Sequence, residues 1–211
     1  MSDNIIISIG RQIGAGGFDT AHLLADEFGY KLFDQELLQE AAKQSGIDPA
    51  VFETHDEKAS SGRRGALGSF RSLFGGDNRN ITNSVMTEES LFKVQSDVIR
   101  TIADSQPCII IGRCSDYILR DYPNLVSVFI SASAESRIRR IASSHNLTDD
   151  EARRLIERGD RKREQYYNYY TFKKWGDSSS YDLCIDSSKL GDDISKVVTI
   201  IREYMKLRGI I

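Results

Sequence analysis

The chain has 211 residues, 40% of them hydrophobic and 28% charged, a soluble globular composition long enough for one domain to bury a core. Its formal net charge of −3 argues against a general nucleic-acid binder, which needs a basic excess to attract a polyanion. The opening MSDNIIISIG has no basic leader and no signal-peptide h-region, and no apolar run reaches the roughly 18 residues that cross a bilayer. A cytoplasmic protein with no membrane partner is expected.

In chain order, IIISIG at 5–10 is the first of five runs that read as buried parallel strands. The others are YKLFD at 30–34, CIIIG at 108–112, VSVFISA at 126–132 and YDLCIDS at 181–187. Each is continuously apolar, as expected when helices cover both faces of a sheet. After the first strand, FDTAHLLADEF places Ala21, Leu24, Ala25 and Phe28 on one helical stripe. A plain crossover to the third strand needs one helix, yet residues 35–105 intervene. They hold helical patterns at 35–44 and 49–57, then KASSGRRGALGSFRSLFGGDNRNIT with Arg63, Arg64, Arg71 and Arg79, then the amphipathic SVMTEESLFKVQSDVIRTIADS before Pro107. The glycine- and arginine-rich part reads equally as a surface loop or as an element that closes over an anion. Further on, TDDEARRLIERGDRKREQYYNYY starts with Thr148 as N-cap and acids in the first turn. DDISKVVTIIREYMKL closes the chain as a helix. Alternation of strands and helices predicts an α/β fold, a doubly wound five-stranded parallel sheet. The expected division is a core of 1–34, 106–147 and 181–211, a helical insertion 35–105 and a basic lid 148–180.

The three cysteines, Cys108, Cys114 and Cys184, lack metal-type spacing and read as buried thiols in a reducing compartment. His22, His55 and His145 show no ligand or triad spacing, and no protein metal site is expected.

The bend GRQIGAGG at 10–17 joins the first strand to the first helix. Measured against the phosphate-loop pattern G-x-x-x-x-G-K-[ST], Gly16 fits the second glycine and Arg11 replaces the first. Gly17 stands where the lysine belongs and Phe18 where the magnesium-binding hydroxyl belongs. Gly14, Gly16 and Gly17 still permit a left-handed backbone path, and the helix that follows offers free N–H groups. Such a bend attracts phosphate without a lysine. The helix-end charge is worth only about 0.3–1 kcal/mol, so other cations are expected to help: Arg11 and the basic segment at 158–163. A rival template is the NAD(P)-dependent short-chain dehydrogenase. Gly10, Gly14 and Gly16 match its G-x-x-x-G-x-G turn, Asp34 ends the second strand where a ribose-binding acid belongs, and Tyr169 and Lys173 copy its Tyr-x-x-x-Lys spacing. The long insertion after the second strand and the absence of an Asn-Ala-Gly signature speak against it.

Four segments in order carry a resemblance over nearly the whole chain: SIGRQIGAGGFDTAHLLADEFGYKLFD, IIIGRCSDYIL, ERGDRKR and YDLCIDSSKLG. They resemble the loop and second strand, the Gly-Arg-Asp segment, the lid and the final strand of nucleoside monophosphate kinases, and most narrowly the cytidylate kinase-like family, whose loop is of this GAGG type. The resemblance implies ATP and Mg²⁺ as cofactors and small-molecule nucleotides as partners. It implies that main-chain N–H groups from Gly14, Ala15, Gly16, Gly17 and Phe18 hold the ATP phosphates, with Asp19, Thr20 or water at Mg²⁺. Arg113 matches the arginine that grips the acceptor monophosphate, and a planar guanidinium suits two phosphate oxygens. Cys114 replaces that motif's aspartate, with Asp116 as a substitute. Arg163 matches the lid arginine after Asp160, helped by Arg161 and Lys162, and Asp34 lies at the acceptor site. Arg11, Arg113 and Arg163 thus form the expected catalytic set.

Plainer roles stand beside these. Arg113 could pair with Asp116, Asp19 could compensate the helix dipole, and Tyr166, Tyr167, Tyr169 and Tyr170 could pack against the core with Trp175 as an anchor. The implied activity is ATP-dependent phosphoryl transfer to a nucleoside monophosphate, CMP or dCMP first. The alternatives are a catalytically reduced nucleotide-binding regulator and the dehydrogenase.

Overall fold

The computed structural model describes residues 3–34 and 88–211. The helical patterns at 35–44 and 49–57, and the glycine-rich stretch with Arg63, Arg64, Arg71 and Arg79, lie outside the described residues. Five strands form one sheet: β1 (Ile6–Arg11), β2 (Lys31–Phe33), β3 (Cys108–Ile111), β4 (Leu125–Ser131) and β5 (Leu183–Asp186). Among the described residues, six α-helices accompany them: α1 (Gly17–Phe28), α2 (Glu88–Ser105), α3 (Ser115–Ile118), α4 (Ala134–His145), α5 (Asp149–Thr171) and α6 (Ile194–Leu207). The strand order is β2-β3-β1-β4-β5 and every pairing is parallel.

Central β1 sets Ile6 opposite Cys108 on one side and Leu125 on the other. Successive side chains on a strand point to opposite faces, so the apolar runs split between two cores. Ile6, Cys108, Ile110 and Phe129 pack with Val98, Ile99 and Ile102 of α2. Ile7, Ile9, Ile109, Val128 and Ile130 pack with Ala21 and Leu24 of α1 and with Val197, Ile201 and Met205 of α6. This is why the strands read as unbroken apolar runs, and the sheet is doubly wound as expected.

Sheet order also removes one alternative. Dinucleotide-binding sheets set β2 beside β1, whereas β3 separates them here. Tyr169 is exposed near the end of α5, and Lys173 lies beyond that helix. The dehydrogenase reading is overturned.

Three local findings differ from the sequence reading. Helix α4 was not expected: Ser133 caps it by accepting the Ser136 N–H, and Ile138 and Ile141 pack on Ala152 and Ile156 of α5. Helix α2 falls within the stretch read as an insertion, yet Ile99 and Ala103 are fully buried in the core. Cys184 is exposed rather than buried, because β5 is an edge strand; Cys108 and Cys114 are buried and all three are free thiols. The expected Thr148 cap forms, as a reciprocal box in which Thr148 accepts the Glu151 N–H and Glu151 accepts the Thr148 N–H.

Candidate active site

The glycine bend is held from behind by side chains of three other segments. Ile13 N–H donates to Asp160 Oδ1 at 2.8 Å, and Asp160 Oδ2 pairs with Arg137 Nη1 at 2.5 Å. Arg140 Nη1 donates to the Gly14 carbonyl at 2.7 Å, and Ser187 Oγ to the Ala15 carbonyl at 2.9 Å. Gln12 Oε1 accepts the Ala132 N–H at 3.2 Å, tying the bend to the end of β4. Gly14 and Gly16 have φ of 77° and 85°, values that strain any residue with a β-carbon. A β-carbon on Gly14 would also lie 2.9 Å from the Arg137 carbonyl oxygen. The first intrahelical bond of α1 runs from Thr20 N–H to the Gly16 carbonyl at 2.9 Å. The amides of Gly17, Phe18 and Asp19 therefore have no partner within the helix. Glycines in the left-handed region followed by a helix N-terminus make a backbone anion cradle.

The other expected ligand groups are placed as follows. Thr20 is buried, and its hydroxyl donates to the Gly16 carbonyl at 2.9 Å, so it faces the helix rather than a bound ion. Ala15 is buried and its N–H donates within the bend to the Gln12 carbonyl at 3.3 Å, which removes it from the row of amides available to phosphate. Phe18 is 52% exposed and meets His22 edge-on. Asp19 is exposed in the first turn of α1. Arg161 is exposed on α5 away from the cavity, whereas Lys162 and Arg163 line it. Asp34 follows edge strand β2 and is not among the residues lining the cavity, since β3 stands between β2 and β1.

Where β1 and β3 end, a cavity of ≈ 90 Å³ opens. Arg11, Gly112, Arg113, Lys162 and Arg163 line it with Asp116, Tyr166 and Tyr167. The C-terminal edge of an open parallel sheet is where such folds bind ligands. Four of its lining side chains are cationic and one is acidic. Arg163 Nη1 donates to the Arg11 carbonyl at 3.4 Å, which joins α5 to β1. Gly112, Arg113 and Cys114 all have positive φ, of 70°, 57° and 56°. Two non-glycine residues in that region carry strain on the order of 1–3 kcal/mol each. The turn is held by Gln95 Nε2, which donates to the Arg113 carbonyl at 3.2 Å, and by the Ser115 N–H to the Gly112 carbonyl at 3.1 Å.

Asp116 is buried and accepts the Tyr167 hydroxyl at 2.7 Å. Burial raises its carboxyl above the ordinary range, and the Tyr167 hydrogen bond opposes that shift. Burial also drives the Cys114 thiol and the Tyr166, Tyr167 and Tyr181 phenols upward. The floor of the cavity is therefore a protonated thiol and neutral phenols around one acid. The tyrosines mainly pack: Phe92 stacks on Tyr170 at 4.2 Å, and Trp175 meets Phe129 edge-on at 5.2 Å.

Sequence reasoning missed Arg137, Arg140, Gln12 and Gln95. Ser133 followed by Glu135 marks a helix start, and that signal would have placed Arg137 and Arg140 one turn apart on one face of α4.

Among known proteins, the model of the cytidylate kinase-like family matches residues 6–189. The chain is 28% identical over 120 residues to a cytidylate kinase of Sulfurisphaera tokodaii, which is 56% of this chain and 66% of that kinase. It thus spans just under two thirds of that relative's length. A solved structure of an uncharacterized protein from Eubacterium ventriosum superposes with a TM-score of 0.71 at 27% identity, over 96% of this chain and 99% of that one. A shikimate kinase from Bacteroides thetaiotaomicron shares the fold, with a TM-score of 0.52 at 13% identity over 96% and 98% of the two chains.

Proposed function

The chain belongs to the cytidylate kinase-like family, and from that premise we propose that it transfers the γ-phosphoryl group of ATP to a nucleoside monophosphate, CMP or dCMP being the first acceptors. One observation carries this reading: Arg11, Arg113 and Arg163, with Lys162, converge from three separate elements on one cavity at the strand ends. Phosphoryl transfer asks mainly for positioning and for neutralisation of charge, and converging cations supply both.

The amides of Gly16, Gly17 and Phe18 are the groups that would cradle the triphosphate. ATP would supply the transferable group, and a bound Mg²⁺ would neutralise part of the negative charge on its phosphates. The residues present fit an anion well and a protein-held cation sparingly. Phe18 has no ligand atom and Thr20 is turned inward, which leaves the Asp19 carboxylate, directly or through water. Arg113, held in its left-handed turn by Gln95, would grip the acceptor phosphate, and Arg163 would cover the transferring group from α5. Pockets for drug-sized ligands hold about 300–1,000 Å³, and the cavity of ≈ 90 Å³ is of a size for phosphoryl groups.

The test is a coupled assay of ADP formation by purified protein with ATP, Mg²⁺ and CMP, dCMP, UMP, AMP or GMP in turn. Turnover with a cytidine monophosphate supports the reading. Clear ATP binding with no turnover on any acceptor replaces it with the nucleotide-binding regulator.

A further inference from the structure

Position 17 lacks the lysine that phosphate loops place there, and the structure shows what excludes it. Gly17 is absent from the glycines with positive φ, so its backbone would accept any side chain. The obstacle is Arg11: a β-carbon on Gly17 would lie 2.5 Å from Arg11 Cβ and 2.8 Å from its Cγ. The Arg11 side chain then extends to Gly112, where a β-carbon would collide with Arg11 Nη1. The volume in which a residue-17 side chain would begin is therefore filled by the Arg11 stem. The far end of that stem reaches a glycine in the turn that carries Arg113 and lines the same cavity.

We propose that Arg11 is the phosphate-loop cation of this protein, supplied from the end of β1 instead of the start of α1, and that Gly17 and Gly112 are glycines because Arg11 passes between them. This rests on the phosphotransfer reading and adds to it a residue that takes over the lysine's task. An arginine alters the chemistry. Its planar fork can hold two phosphate oxygens at once, where an ammonium is a point charge. The same side chain, touching both the loop side and the Gly112 turn, contacts the walls of the donor and acceptor phosphate sites together.

Binding of Mg²⁺-ATP, measured by calorimetry without any acceptor, tests this independently of turnover. Arg11→Met keeps the first methylenes of the stem against Gly17 and removes the guanidinium with its charge and N–H donors, and its thermal midpoint, read alongside, separates lost binding from lost folding. Its Kd for ATP should rise about tenfold or more, the loss expected for a charged hydrogen-bond donor. The decisive variant is the exchange Arg11→Ala with Gly17→Lys, which empties the stem's volume and puts the cation back on α1. It should bind ATP more tightly than Arg11→Ala alone, whereas Gly17→Lys by itself, with Arg11 in place, should disrupt the bend. An unchanged Kd in Arg11→Met overturns the inference and leaves the kinase reading standing. A folded exchange variant that binds no better than Arg11→Ala also overturns it. Failure of the wild type to bind ATP removes both.

Discussion

Asp160 holds the glycine bend from outside the cavity. Its carboxylate accepts the Ile13 N–H at 2.8 Å and pairs with Arg137 at 2.5 Å, with side chains only 12% and 15% exposed. Asp160→Ala leaves a nearly buried guanidinium without its counter-ion and a loop amide without its acceptor. Breaking such a pair costs about 3–5 kcal/mol; residual solvent contact places this case near about 3 kcal/mol. For a chain of this size that is a fall in Tm of about 6–12 °C. Asp160→Asn keeps an acceptor for Ile13 and should lose about 1–2 kcal/mol, the charged part of the bond. Arg137→Met with Asp160→Ala removes both charges, and should be clearly more stable than the sum of the two single losses. Thermal unfolding followed by circular dichroism reads all five proteins: the wild type, Asp160→Ala, Asp160→Asn, Arg137→Met and the double variant. ATP binding should weaken in Asp160→Ala below the unfolding range, because the bend loses the bond that fixes Ile13. A Tm shift within about 1 °C for Asp160→Ala, well below the scale expected for this pair, would show that the ion pair does not hold the loop.

Other substitutions follow from single contacts. Gly112→Ala meets both a φ of 70° and the Arg11 guanidinium, whereas Gly191→Ala meets a φ of 75° and open space. Each should lose about 1–2 kcal/mol from backbone strain, but only the first should lower phosphotransfer, as kcat measurements on both would reveal. Thr148→Ala opens the capping box of α5 and should cost about 1 kcal/mol in chemical denaturation. Burial raises the Asp116 carboxyl above its ordinary value of 3.8, so the folded chain holds this proton more tightly than the unfolded one. The stability associated with that proton is lost as pH rises from the ordinary value through the raised one. Asp116→Asn has no such proton; its stability relative to the wild type should climb across that window and then level off. Parallel stability curves at every pH would exclude an elevated Asp116.

Most of the sheet was legible because β1, β3 and β4 are buried on both faces, which gives unbroken runs such as IIISIG and VSVFISA. The same signal misled at Cys184, where an edge strand leaves one face uncovered. Helix α4 escaped because AESRIRRIASSH buries little besides Ser136, Ile138 and Ile141, and its arginines mask so narrow a stripe. Its arginines matter through contacts far along the chain, Arg140 to Gly14 and Arg137 to Asp160, which no local pattern encodes. Arg11, Arg113 and Arg163 were visible because each adjoins a recognisable strand end or helix motif. The reason for Gly17 was invisible, since it depends on where the Arg11 side chain runs in space.

On the proposed reading, a glycine bend without its lysine holds a triphosphate. A crystal structure of the protein with Mg²⁺ and a non-hydrolysable ATP analogue tests it most directly. The expected density puts the β- and γ-phosphates on the amides of Gly16 to Phe18, with the Arg11 guanidinium within hydrogen-bond distance of the γ-phosphate. Analogue bound elsewhere, or a bend closed against the anion at saturating concentration, would contradict the account.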